Sequence, residues 1–170
     1  MVKILSKTAV HPFTIFFLNM GILAILISSL YDLIITHAQP HHEAEEIISG
    51  VGVILIAWGV ALEERHKLRE VFGLVPEHTT NADEKVHDSH EEVLDESCHR
   101  YGLGQLLLGL FVEVGVECVR VPDRIINTDG IESEVLLFCG FMLAVAGILL
   151  IKHSISLLNS TFFKVGVKIH

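Results

Sequence analysis

A Glu-x-x-His pattern adjoins two apolar segments of this chain, as EERH at 63–66 and as ESCH at 96–99. Residues three apart lie on the same side of a helix, so the carboxylate and imidazole of each pair can bind one metal ion together. Di-iron and di-manganese helix bundles use two such pairs plus one Glu from each of two further helices. The pattern therefore suggests a metal site with four ligands: Glu63, His66, Glu96 and His99.

The additional carboxylates of a two-metal site are harder to find. Glu92 is a secondary candidate, but it lies on the same predicted helix as Glu96. A site for one zinc or iron ion needs only two His and one or two carboxylates and is easier to form. The alternative is chance, because Glu and His are common in both segments. A divalent metal ion and a simple solvated helix surface therefore both remain open.

A second group of potential ligands lies between the first two apolar segments. His41 and His42, followed by Glu43, have the donor types that Cu(II) and Zn(II) prefer. A solvated loop beside lipid headgroups explains the same residues equally well. The eleven histidines of the chain thus include several candidate ligands without a complete site.

Two carboxylates lie within an otherwise apolar segment. Glu113 and Glu117 are one helical turn apart and face the same way, and Glu113 is about 18 Å from the start of that segment. An ionised carboxylate at this depth of a membrane is costly unless it is paired, hydrated or protonated. Glu113 suggests either a proton or cation relay or a hydrogen bond between helices. Glu117 is expected to pair with Arg120 or Arg124, and Asp32 lies at a similar level.

Four apolar segments must position these side chains. The chain is 51% apolar with a mean hydropathy of +0.54, although 19% of its residues are charged, because the charges lie between the apolar segments. A bilayer needs roughly 20 apolar helical residues per span. We predict an all-α, polytopic membrane protein in which residues 1–170 form one domain. Its predicted spans are 13–35, 47–62, 101–121 and 134–151.

The basic residues predict the orientation. Lys and Arg occur before the first span, between the second and third, and after the fourth, whereas the first connecting loop has none. The positive-inside rule then places both termini and the middle segment in the cytoplasm. Helix breakers are rare around 63–100, so helices two and three should extend into the cytoplasm as a stalk. We expect a bacterial-type inner membrane.

Small residues and composition add further constraints. Glycines on the second and third spans predict close helix approach, and Trp58 is expected to fill a packing gap or contact a neighbouring subunit. A net charge of −9 argues against nucleic acid as a partner. The three cysteines fit neither a disulfide framework nor a zinc spacing. The glycines in question are Gly50, Gly52, Gly59, Gly102, Gly109 and Gly115.

Three functions agree with these features. The first is a non-catalytic accessory or structural subunit of a larger membrane complex, with the lipid bilayer and other membrane subunits, or further copies of the chain, as partners. The second is a metal-binding enzyme or metal-handling protein that uses the doubled Glu-x-x-His pattern. The third is an ion or proton transporter that uses Glu113. The absence of a complete active site favours the first.

Overall fold

The fold consists of four helices in the part of the chain that the structure describes. The structure is a computed structural model that describes 11–35, 41–65, 67, 82–123 and 131–166, with side chains at 11–32, 34, 44–65, 67, 92–120 and 131–159. The predicted all-α class is confirmed for these residues. In chain order the helices are α1 Pro12–Ile35, α2 His41–Glu63, α3 Ala82–Asp123 and α4 Glu132–Gly166.

Each helix contains a stretch long and apolar enough to cross a membrane. These stretches are Pro12–Asp32, Ala44–Glu63, Glu92–Arg120 and Glu132–Asn159. The predicted number of four candidate spans is therefore confirmed. At about 1.5 Å per residue, the 42 residues of α3 and the 35 residues of α4 are longer than the hydrocarbon core of a bilayer.

The helix ends differ from the prediction in two places. α2 begins at His41, so part of the loop expected between the predicted spans 13–35 and 47–62 is helical. Pro40 directly precedes it, and proline is common at helix starts, where no amide hydrogen is needed. α4 continues to Gly166, well beyond the end of the predicted span 134–151, because no proline interrupts that segment. The predicted extension of helix two into a cytoplasmic stalk lies mostly outside the described residues.

Glycines bring α2 and α3 into backbone contact. A Cβ atom on Gly59 would lie 2.5 Å from the Leu106 nitrogen and 2.7 Å from the Gly102 oxygen. A Cβ atom on Gly109 would lie 2.7 Å from the Gly52 oxygen. The predicted close approach is thus confirmed for these two glycine pairs. Gly115 also lies at a close helix approach, where a Cβ atom would lie 2.6 Å from the Cys139 sulfur of α4, whereas Gly50 has nothing within 4 Å among the described residues.

The outer surface of the bundle is apolar. Phe17, Ile34 and Leu137 are at least 70% exposed, and many other large apolar side chains on all four helices are also exposed. Water-soluble proteins rarely expose continuous apolar surface on this scale. The hydrocarbon core of a bilayer would cover such a surface, so this exterior is compatible with a membrane.

Candidate functional site

A chain of buried polar side chains links all four helices. Trp58 of α2 donates its indole N–H to Asn19 Oδ1 of α1 over 2.7 Å. The other end of the Asn19 amide, Nδ2, lies 3.1 Å from His153 Nδ1 of α4. On the far side of the imidazole, His153 Nε2 lies 3.8 Å from Cys98 Sγ of α3. Asn19, His153 and Cys98 are fully buried.

The indole of Trp58, which can only donate, sets the donor-to-acceptor direction of these hydrogen bonds. A tryptophan N–H can only donate, so the Asn19 oxygen must accept and the Asn19 NH₂ group must face the imidazole. His153 Nδ1 therefore accepts, and the neutral ring carries its hydrogen on Nε2, directed at the Cys98 sulfur. The Tyr101 ring stacks on the imidazole with centroids 4.8 Å apart. Every member of the chain thus restricts the orientation of the next.

This polarity disfavours catalysis or metal binding at His153. A metal ion on Nε2 would require the hydrogen on Nδ1, and the Asn19 amide would have to turn over to accept it. Its NH₂ group would then face the Trp58 N–H, which leaves two donors opposed. The same tautomer prevents Nε2 from accepting the Cys98 proton, as a nucleophile's base must. The arrangement is suited to holding helices together.

The sequence identified these residues without linking them. Asn19 interrupts the first apolar segment and Cys98 lies in a polar stretch of the sequence, and the structure buries both completely. Trp58 packs as expected, but its indole also forms a hydrogen bond to α1. Polar side chains at a similar distance from one end of their spans indicate the level at which they lie, but not which of them pair.

An ion pair lies one turn beyond the network, where α2 meets α3. Arg65, two residues after the end of α2, pairs with Asp95 of α3, and only 4% of Arg65 is exposed. The neighbouring Lys67 is exposed and lies 2.7 Å from Glu64, whose hydrogen bond and negative charge raise the pKa of Lys67. Charged side chains therefore begin at this level of the bundle.

The structure describes three of the four predicted metal ligands. Glu63 is half-buried, whereas Glu96 and His99 are exposed, and Glu96 lies 3.4 Å from Arg100 in an ion pair. The His66 side chain lies outside the described residues. Among those described, no three His, Cys, Asp or Glu residues are placed to hold a metal ion. The four-ligand site, which includes His66, stays a prediction.

The secondary ligand candidates are placed only in part. Glu92 is exposed on α3, near the start of its apolar stretch. His41 and His42 belong to the first turn of α2, rather than to a loop, and their side chains lie outside the described residues. A metal site at His41 and His42 likewise stays a prediction.

Glu113 lies at the α2–α3 interface. The Ser49 hydroxyl is 3.0 Å from one carboxylate oxygen of Glu113 and 2.9 Å from the other. A serine has one hydroxyl hydrogen and can donate to only one of these oxygens at a time. The glycine contact between Gly52 and Gly109 lies one turn away and brings the two helices close enough for this bond.

An arginine connects the carboxylates at the end of α3. Arg120 Nη1 donates to Glu117 over 2.9 Å, which confirms the predicted pairing, and Arg120 Nε lies 4.0 Å from Glu45 of α2. Glu45 is buried. Asp32 is exposed on α1, and it takes no part in these contacts among the described residues.

Comparison with protein-family models, with curated proteins and with solved structures finds no match to this chain. Function is therefore inferred from the side-chain geometry. Two features of the geometry bear on function: the hydrogen bonds that link Trp58, Asn19 and His153 within the bundle, and the half-buried carboxylate of Glu113.

Proposed function

We propose that this chain is a membrane-embedded, non-catalytic subunit of a larger membrane complex. One observation carries the proposal: polar side chains inside the apolar stretches of three helices bond to one another across the bundle. Trp58, Asn19 and His153 use their hydrogen-bonding groups within the bundle, in a direction that favours neither metal binding nor proton transfer at His153. A catalytic centre or conduction path would keep such groups free for substrate, ion or water.

The packing of the helices also suits a supporting role. The network attaches α1, which packs mainly on α4, and glycine contacts join α2 to α3. Interhelical hydrogen bonds and small-residue contacts are the usual forces that hold membrane bundles together. A rigid bundle with an apolar exterior offers surface to lipid and to neighbouring subunits.

The proposal includes an orientation. Both termini lie in the cytoplasm of a bacterial-type inner membrane, because the Lys and Arg residues concentrate at the ends and in the middle segment. The parts of α3 before Glu92 and of α4 after Asn159 lie outside the apolar stretches, at the proposed cytoplasmic end. The α3 part would belong to the predicted cytoplasmic stalk of helices two and three over 63–100, which soluble partners could reach.

Blue-native electrophoresis of native membranes in mild detergent tests this function. We expect the chain to migrate with other proteins, well above the position of its 18.9 kDa mass plus bound detergent. The same membranes dissolved in sodium dodecyl sulfate provide the dissociated reference. Migration at that reference position in every mild detergent would refute the subunit assignment.

A further inference from the structure

The outer groove between α2 and α3 combines carboxylates with exposed apolar side chains. We propose that a transmembrane helix of a different protein binds in this groove and pairs a Lys or Arg side chain with Glu113. The inference rests on the proposed function and names the chemistry of the partner. Six residues define the outer groove: Glu46, Ser49, Val53, Leu110, Glu113 and Glu117.

The depth of Glu113 demands a partner. It lies seven residues before Arg120, the end of the apolar stretch of α3, and thus about 10 Å inside that end. A carboxylate has about four acceptor positions, and the Ser49 hydroxyl fills one at a time. Glu113 is only half-buried, so part of it faces the surroundings of the bundle. At membrane depth, ionisable side chains pair with other charged groups or with the backbone.

The charges of the outer groove indicate what that partner carries. Glu46 is exposed, and the Glu117 side chain is 44% exposed. Arg120 is the nearby cation among the described residues, and it already contacts Glu117 and Glu45. The outer groove therefore has excess negative charge, to which a basic side chain is complementary.

The remaining walls suit a helix. Val53, one turn from Ser49, is 51% exposed, and Leu110, one turn from Glu113, is 47% exposed. Apolar residues at this spacing on two adjacent helices form a seam into which a third helix can pack. Between them, the carboxylate of Glu113 provides one specific polar contact.

A second copy of this chain fits the outer groove poorly. A two-fold dimer through this surface would bring the Glu113 carboxylates of both copies together, and like charges repel. The described basic residues Lys67, Arg100 and Lys152 lie near the opposite end of the bundle, and Arg65 is buried in its pair with Asp95. Charge complementarity thus favours a different protein.

A designed peptide tests the proposal in liposomes. A fluorophore on Cys118, which is exposed while Cys98 and Cys139 are buried, serves as the energy donor. The acceptor is carried by a leucine-rich helix of about 21 residues with one Lys roughly 10 Å from an end, or with Leu in its place. We expect the Lys peptide to bind about tenfold more tightly than the Leu peptide. Glu113→Gln should abolish this preference.

Two variants control the test. Glu134→Gln removes an exposed carboxylate at the start of α4, at the same end of the bundle, and should leave the preference intact. Glu113→Lys should reverse it, so that a peptide with Glu in place of Lys binds best, which also shows that a charge-altered chain still folds. Equal binding of the Lys and Leu peptides to the unmodified chain, or a preference that survives Glu113→Gln, would overturn the proposal.

Native electrophoresis separates this inference from the function on which it rests. Loss of the large complex in Glu113→Gln, but not in Glu134→Gln, supports the docking of a basic helix. A large complex that persists in Glu113→Gln contradicts the docking site and leaves the subunit assignment standing. If the chain migrates alone in native membranes but clearly prefers the Lys peptide, the subunit assignment is contradicted. The docking site for a basic helix is then supported.

Discussion

At the scale of single residues, Asn19 has the central position in the bundle. Its amide can accept and donate at once, so it links a donor-only indole to an imidazole nitrogen. Neither a leucine nor a serine could span the distance from Trp58 to His153 with both functions. One polar residue in an apolar helix thereby fixes contacts to two other helices.

Replacing Asn19 by Leu should destabilise the bundle by about 1–2 kcal/mol, because two interhelical hydrogen bonds are lost. The Trp58 N–H and His153 Nδ1 would both lose a partner. Trp58 is the single tryptophan of the chain, so its fluorescence during unfolding in detergent measures the change directly. Asn159→Leu, at an exposed position near the end of α4, is the matched control. Equal stability of the two variants would show that the network contributes nothing.

The doubled Glu-x-x-His pattern makes a separate prediction at this scale. If Glu63, His66, Glu96 and His99 bind a divalent ion, elemental analysis of the purified protein should find zinc, iron or copper near one ion per chain. The His66→Ala/His99→Ala double variant should lose it, because imidazole provides two of the ligands. Less than a stoichiometric amount in the unmodified protein would end the metal hypothesis.

At the scale of helices, apolar length was sufficient to predict the four elements but not their ends. Hydropathy places the start of the second helix near Ile47, because the residues before it are polar. In the structure the helix begins at His41, so this polar segment is helical. The long α3, from Ala82 to Asp123, agrees with the absence of proline before Pro122. Polar helix ends therefore have to be inferred from breakers rather than from hydropathy.

The network around His153 could not be predicted for a physical reason. Helices that face lipid are apolar on all sides, so hydropathy does not reveal which side faces the core. To predict that Asn19 pairs with Trp58 and His153, one must know how each of three helices is rotated about its own axis. The glycines of α2 and α3 were more informative about packing, because a residue without a side chain allows another helix backbone to approach closely.

The α2–α3 contact makes a prediction at the scale of helices. Gly59→Ala should cost about 1–3 kcal/mol, since its Cβ atom would clash with the Leu106 backbone, which cannot rotate away. Gly50→Ala should be neutral or slightly stabilising, because that position is open and alanine favours helix. Unfolding in mixed detergent micelles compares the two variants. A Gly59→Ala protein as stable as Gly50→Ala would contradict the backbone contact.

At the scale of the whole molecule, the proposed orientation can be tested with the native cysteines. Cys118 is exposed two residues before Arg120, at the end of α3 that the orientation assigns to the outer face. A membrane-impermeant maleimide added to intact cells should therefore label Cys118. Cys98 and Cys139 are buried and should react only after unfolding. Labelling of Cys118 that requires permeabilised cells would invert the orientation.

The subunit assignment is the central claim, and the mass of the particle extracted from its own membrane tests it most directly. Native mass spectrometry in mild detergent should show the 18.9 kDa chain bound to at least one different protein in a fixed ratio. A fixed ratio is expected because specific contacts, unlike random co-extraction, saturate. A particle that contains only this chain, at all detergent concentrations that keep it folded, would contradict the account.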